Sequence, residues 1–234
     1  VFTTVDRLVN DVPYHDFTES TVIPSTTDEA LNITLAVSTD VKAQQKQEMV
    51  DYIELWSGFP EGGCVVKEVI ALGGKAKGIG LNEGYDLFDE ETRKHVRYQL
   101  DAVWRPKTLM LCPMCTGSGG WSKLNLSKGS PMAQKHQGEK VLNAPFAAQL
   151  IEDQCQRGGR VIFEHPWGTE FLKEPCMKSV MDKYSLTMTK LDQCMIGLKD
   201  KESGLPHYKP TVILTNDTWI GQVLRKQCDR QHVH

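Results

Sequence analysis

The feature that most constrains this chain is an alternation, from residue 41 onward, of short apolar runs with stretches of helical period. Residues 42–50, KAQQKQEMV, are helix-forming, and Val50 to Trp56 reads as a strand that stops at Ser57-Gly58. Gly62-Gly63 open a helix over Cys64 to Leu72, apolar at 65, 66, 69, 70 and 72 and closed by Gly73-Gly74. Lys77 to Leu81 is a short strand, Tyr85 to Leu87 another extended piece, and Glu90 to Val103 a helix ended by Arg105-Pro106. Thr108 to Leu111 is a buried strand, followed by a long polar, glycine-containing connection over 116–143. The helix Ala144 to Arg157, the strand 160–164 and a turn at His165-Pro166-Trp167-Gly168 come next. The helix Pro175 to Lys183, the strands Leu186 to Leu191 and Pro210 to Thr215, and the helix Thr218 to Cys228 complete the pattern. Such alternation predicts βαβ units, hence an α/β fold with a doubly wound, mainly parallel sheet covered by helices on both faces.

Charge and composition narrow the function. The 234 residues carry a net charge of -3 with 40% hydrophobic residues, so any grip on nucleic acid has to be local. Residues 1–40 hold Asp6, Asp11, Asp16, Glu19, Asp28, Glu29 and Asp40 against Arg7 alone, and are rich in Thr, Ser and Pro. They read as an acidic arm or surface layer before a main domain at 41–234. The chain opens on Val1 without an initiator Met or a secretory leader, as expected of a processed fragment or an excised domain. No apolar run is long enough to span a bilayer, so no membrane association is expected. The seven cysteines are an odd number without the dense spacing of a disulfide scaffold, which predicts free thiols in a reducing compartment, nuclear or cytoplasmic. The sequons at Asn32, Asn125 and Asn216 carry no weight without a leader.

A doubly wound sheet binds its ligand outside the carboxyl ends of the strands, where strand order reverses. Those ends read Glu54-Leu55-Trp56-Ser57-Gly58, Leu81-Asn82-Glu83-Gly84-Tyr85-Asp86, Cys112-Pro113-Met114-Cys115-Thr116, Glu164-His165-Pro166 and Asp192-Gln193-Cys194. Each places polar or reactive groups directly after an apolar run.

In this order the segments resemble class I S-adenosylmethionine-dependent methyltransferases, and within them the cytosine-5 DNA methyltransferase-like domains of retroelement polyproteins, over roughly residues 50–216. The resemblance implies a Rossmann-like methyltransferase fold. It further implies that Glu54, Trp56, Ser57 and Gly58 form the first cofactor loop, that Glu83 meets the ribose hydroxyls, and that Asp86 lies beside the adenine amine. Pro113 would bend the loop that supplies Cys115 as nucleophile, and Glu164 would be the acidic partner. Cytosine C5 is a poor nucleophile, so such chemistry uses a thiolate that adds at C6, a carboxylic acid at N3 and a base flipped from its stack. Lys123, Lys128, Lys135 and Lys140, with Glu139 the one acid among them, follow the candidate nucleophile and suit phosphate, with DNA favoured over RNA as partner beside other parts of a polyprotein.

Other readings coexist. The first cofactor loop has Trp-Ser-Gly-Phe-Pro where the family usually has several glycines, and no segment has room for a target-recognition region. A non-catalytic nucleic-acid-binding or architectural module with a decayed cofactor loop is therefore the alternative function. Cys112-x2-Cys115 has metal-ligand spacing, and Cys228-x3-His232-x-His234 resembles a Cys-His-His ending of the retroelement domains, a structural zinc being completed by one distant Cys. A redox Cys-x-x-Cys is disfavoured because residues 116–120 do not read as a helix, and Gly73 to Gly80 lacks the Lys-Ser/Thr end of a phosphate loop.

Overall fold

The computed structural model describes residues 48–58, 63–115, 127–129 and 131–234, with backbone alone at 132, 133 and 135–139. The acidic arm at 1–40 and Lys123 lie outside the described residues. In chain order the elements are β1 (Tyr52–Leu55), α1 (Cys64–Ala71), β2 (Ala76–Ile79), α2 (Glu90–Tyr98) running into a π turn (Gln99–Trp104), and β3 (Thr108–Leu111). After these come α3 (Pro131–Gln156), β4 (Arg160–Pro166), α4 (Pro175–Lys183), β5 (Thr187–Asp192), β6 (Pro210–Thr215) and α5 (Thr218–Val223).

The six strands form one sheet in the order β2-β1-β3-β4-β6-β5. The first four are parallel, with Leu55 opposite Leu111 and Leu111 opposite Phe163. β6 runs antiparallel to both β4 and β5, between which it is wedged. β5 and β6 are joined by a loop rather than a covering helix, and an antiparallel pair is what such a connection permits.

Strand alternation divides the core between the two faces. Ile53, Leu55, Leu109, Leu111, Val161, Phe163 and Leu214 point to a layer made by α2, the π turn, α3 and α4, where Val96, Leu100, Ala147, Leu150, Ile151, Met177 and Val180 meet them. Tyr52 points the opposite way onto Val66 and Val69 of α1, and Ile162, Leu191 and Ile213 meet Ile220 of α5. Helices thus cover both faces. Local signals set the ends: the Asp89 carboxylate accepts from the Thr92 amide to cap α2, and Asp217 accepts from the Trp219 and Ile220 amides to cap α5. Asn216 accepts from the Val161 amide at 2.9 Å and donates to the Gly159 carbonyl, tying the end of β6 to the start of β4.

Five boundaries differ from the sequence reading. Residues 131–143, expected in a connection, are the first half of α3, which continues through Pro145 because neighbouring turns and the core hold it. Residues 48–50 are not helical: the Glu48 and Val50 amides donate to the carbonyls of Val103 and Trp104 and lead directly into β1. Tyr85 to Leu87 is a turn, with the Phe88 amide bound to Asp86 Oδ1. The turn placed at His165-Pro166 begins at Trp167, since β4 runs on to pair Pro166 with Thr211. α5 also stops at Val223, well before Cys228, and the tail folds back on β5.

Candidate functional site

The order of β2, β1, β3 and β4 reverses between β1 and β3, which puts a crevice above their carboxyl ends. Period-two alternation sends Glu54, Cys112 and Glu164 to the same side there, because Glu54 is level with Met110 and Leu111 is level with Phe163. Glu54 is 8% exposed, and the Tyr52 hydroxyl beneath it lies 3.3 Å from Glu54 Oε2 and 2.8 Å from Met110 Sδ. Burial pushes the Glu54 carboxyl up, with Glu83 and Glu164 adding repulsion against the opposing Tyr52 hydrogen bond. Burial also raises the Tyr52 hydroxyl well above its ordinary range, as does the Glu54 charge. Gly63, at the entry to α1, is a glycine for space: a Cβ there would collide with the Glu54 carboxylate.

Of the residues expected to form a first cofactor loop, Trp56, Ser57 and Gly58 follow β1. Trp56 adopts a left-handed φ of 59°, and packs edge-to-face on Phe146 of α3 at 5.9 Å. Its Nε1 and the Ser57 hydroxyl are buried without a hydrogen-bond partner among the described residues. Two buried donors left open at a strand end fit a ligand with acceptor groups. Gly80 lets the ends of β1 and β2 close up, since a Cβ on it would sit 2.5 Å from the Ser57 carbonyl and 3.1 Å from Glu83 Oε2. Glu83 Oε2 therefore lies beside Ser57, while Asp86, three residues further on, and Gly58 are exposed. Pro113 is buried beneath the loop that leaves β3. The structure thus brings Glu54, Trp56, Ser57, Glu83 and Pro113 to one edge of the sheet.

The loop 112–115 contains two thiols in unlike surroundings. Cys112 lies between Glu54 and Glu164, and burial with those two charges pushes its thiol well above the usual range. Cys115 is exposed. Glu164, on the strand beside this loop, accepts from Gln193 Nε2 at 3.2 Å and pairs with Lys209 Nζ at 3.4 Å. Gln193 also donates to Thr211 Oγ1 at 2.9 Å. His165 points to the opposite face, stacked between Phe163 and Phe171 at 5.8 and 5.1 Å. Burial drives its imidazole down to about 4, against a smaller upward pull from the Met114 backbone.

A second constellation closes the far edge. Cys194, Cys228, His232 and His234 each offer a ligand atom, and these atoms lie within 4.8 Å of one another. Cys228 Sγ is 3.7 Å from His232 Nε2 and 3.5 Å from His234 Nε2. A tetrahedral zinc with bonds of ~2.3 Å to sulfur and ~2.0 Å to nitrogen separates its ligands by about 3.3 to 3.8 Å, so two cysteines and two histidines here have close to the required spacing. His232 Nδ1 faces Asp229 at 3.8 Å, and the Arg230 amide donates to Cys228 Sγ at 3.3 Å. Such groups orient imidazole and thiolate ligands. Burial and the adjacent Cys228 thiol raise the Cys194 thiol, a cost that a divalent cation removes by holding both sulfurs as thiolates. Cys112 and Cys115 are not part of this cluster.

The basic segment is split. Lys128 is exposed, Lys135 lies on α3 rather than in a loop, and Lys140, further along α3, pairs with Glu174 at 2.7 Å. A groove of about 780 Å³ runs between α2, α3 and α4, and several of its charges are neutralised in pairs such as Arg97–Asp153 and Lys183–Glu152. None of the described helices is long and apolar enough to cross a membrane. Neither a family model nor a curated protein matches the chain.

Sequence reasoning missed Gln193 and Lys209 as partners of Glu164 and did not single out Cys194 as the distant cysteine. Gln193 and Cys194 stood at a strand end, which was the available signal. Lys209 had none, since only the pairing of β6 with β4 brings it beside Glu164.

Proposed function

We propose that this chain is an S-adenosylmethionine-dependent methyltransferase domain acting at C5 of cytosine in DNA, with Cys115 as nucleophile, Glu164 as acid and a structural zinc at Cys194, Cys228, His232 and His234. The observation that carries the reading is the convergence at the sheet's reversal point. The open Trp56 and Ser57 donors lie on the cofactor side, and the exposed Cys115 loop emerges beside Glu164 on the substrate side.

The bound cofactor supplies an electrophilic methyl group. The Cys115 thiolate adds to C6 of a flipped cytosine, and Glu164, as a carboxylic acid at N3, draws the displaced electron pair into the ring so that C5 becomes nucleophilic. Transfer of the methyl group to C5 would release S-adenosylhomocysteine; loss of the C5 proton to water, return of the N3 proton to Glu164 and expulsion of the Cys115 sulfur from C6 would then restore the ring and the free thiolate. Glu83 would accept the ribose hydroxyls, and Trp56 and Ser57 would donate to the cofactor's polar groups. Cys112, held as a thiol by its surroundings, takes no part.

Calorimetry with S-adenosylhomocysteine tests the cofactor half. Binding is expected, and ligand at ~100 times its dissociation constant should stabilise the fold by about 2.7 kcal/mol. Absence of both heat and a melting shift at millimolar ligand, with nucleic-acid binding retained, would instead support the non-catalytic module.

A further inference from the structure

We propose that the zinc ion held by Cys194, Cys228, His232 and His234 is the clamp that orients Glu164, acting through Gln193. This rests on the metal site and on the role of Glu164 given above. Gln193 is flanked by Asp192 and the ligand Cys194, so it is anchored on both sides. The Asp192 carboxylate accepts from the Cys228 amide at 2.8 Å, and the Asp192 amide donates to the Lys226 carbonyl at 2.8 Å. The Gln193 side chain then reaches Glu164 Oε1 at 3.2 Å. Its backbone amide donates at 3.1 Å to the carbonyl of Lys209, whose ammonium is the other partner of Glu164 Oε1. Both cationic and amide donors on Glu164 thus hang from the segment that Cys194 fixes.

The tail that supplies three of the four ligands has neither helix nor strand, and most of residues 224–234 are exposed. So short and wet a segment has little buried area to offset the entropy of ordering it, and a metal cross-link to the sheet supplies what packing does not. Because both donors engage Oε1, the clamp leaves Oε2 as the oxygen presented to a substrate. Without the ion the tail frays, the turn after β5 loosens, and Glu164 loses a fixed orientation without leaving the sheet. Gln193 is on this account a positioning residue.

The full chain tests this without turnover. Elemental analysis should give one zinc per chain. Cobalt substitution should give the intense visible bands of a tetrahedral site with sulfur-to-metal charge transfer, weakened in Cys194→Ser and unchanged in Cys115→Ser. The side-chain amide pair of Gln193, identified by its loss in Gln193→Ala, should stand apart in a nitrogen-15 spectrum of the zinc form. It should move to the solvent-averaged region on chelation and also shift in zinc-loaded Glu164→Gln. Should chelation unfold the chain, His234→Ala, which keeps three ligands, should broaden that pair while the sheet resonances stay in place. A chain without metal, a Cys194–Cys228 disulfide read as a mass two hydrogens lighter, or a Gln193 amide unmoved by loss of the ion would overturn the clamp. A failure of cofactor binding would leave all of these readings unaffected.

Discussion

Cys112 and Cys115 are three residues apart, and their surroundings give them opposite chemistry. The first is enclosed between Glu54 and Glu164 with its thiol pushed up, and the second is exposed on the loop beyond Pro113. Since the thiolate is the reactive form, limited alkylation near neutral pH should label Cys115 at least ~10 times faster than Cys112, as read by peptide mass spectrometry. Equal labelling would contradict the arrangement. Tight burial also makes His165 a source of acid sensitivity. Its folded value is depressed to about 4 from 6.5, so the unfolded chain binds the extra proton, and stability is full above pH ~6.5 and lost as pH falls towards 4. A shift of that size corresponds to about 3 kcal/mol. Denaturant titrations of wild type and His165→Phe at pH 7 and pH 4.5 should therefore diverge by most of that amount at the lower pH, and parallel losses would refute it. Glu54 has the opposite sign: its raised carboxyl makes the folded state less stable as pH rises through that value. Glu54→Gln should accordingly raise the melting temperature at neutral pH. Residue identities at the strand ends were legible from the sequence because apolar runs end abruptly there, whereas the burial that silences Cys112 depends on which strand lies next to β3.

At the scale of elements, the six strands were readable to within two residues in most cases, because each is a short apolar run bounded by Gly, Pro or charge. α3 was read too short, as the polar and glycine-bearing first half of Pro131–Gln156 has weak periodicity and is held by what it packs against. The end of α5 was read too long, since continuation of its apolar stripe competes with the hydrogen bonds that return the tail to Asp192. That return makes a concrete expectation. Truncation after Gln227 removes three of the four candidate ligands, and losing ~2.7 kcal/mol of linked metal binding should lower the melting temperature by roughly 5 to 10 °C. An unchanged melting curve would show the tail to be dispensable. The close approach of β1 and β2 is equally local. Gly80→Ala forces a Cβ against the Ser57 carbonyl, so it should weaken S-adenosylhomocysteine binding more than it lowers stability, measurable by calorimetry alongside thermal melts.

At the scale of the molecule, the sheet explains why distant segments form one site. The parallel strands β1, β3 and β4 share one register, so Cys112 and Glu164 rise to the same height, two residues above Glu54 on the same face, and the antiparallel β6 lowers Lys209 onto Glu164 from the other direction. A parallel, doubly wound sheet was legible from the alternation alone, but the place of β6 between β4 and β5 was not, because two successive strands without an intervening helix carry no signal of which neighbour each will choose. The central claim is that this edge performs covalent chemistry on cytosine through Cys115. Its most direct test is an oligodeoxynucleotide containing 5-fluorocytosine, incubated with the full chain and S-adenosylmethionine and analysed by peptide mass spectrometry, because fluorine at C5 blocks the elimination that frees the enzyme. The account predicts a stable adduct on Cys115, lost in Cys115→Ser and retained in Cys112→Ser. An adduct mapped to another cysteine, or none at all with the cofactor demonstrably bound, would contradict it.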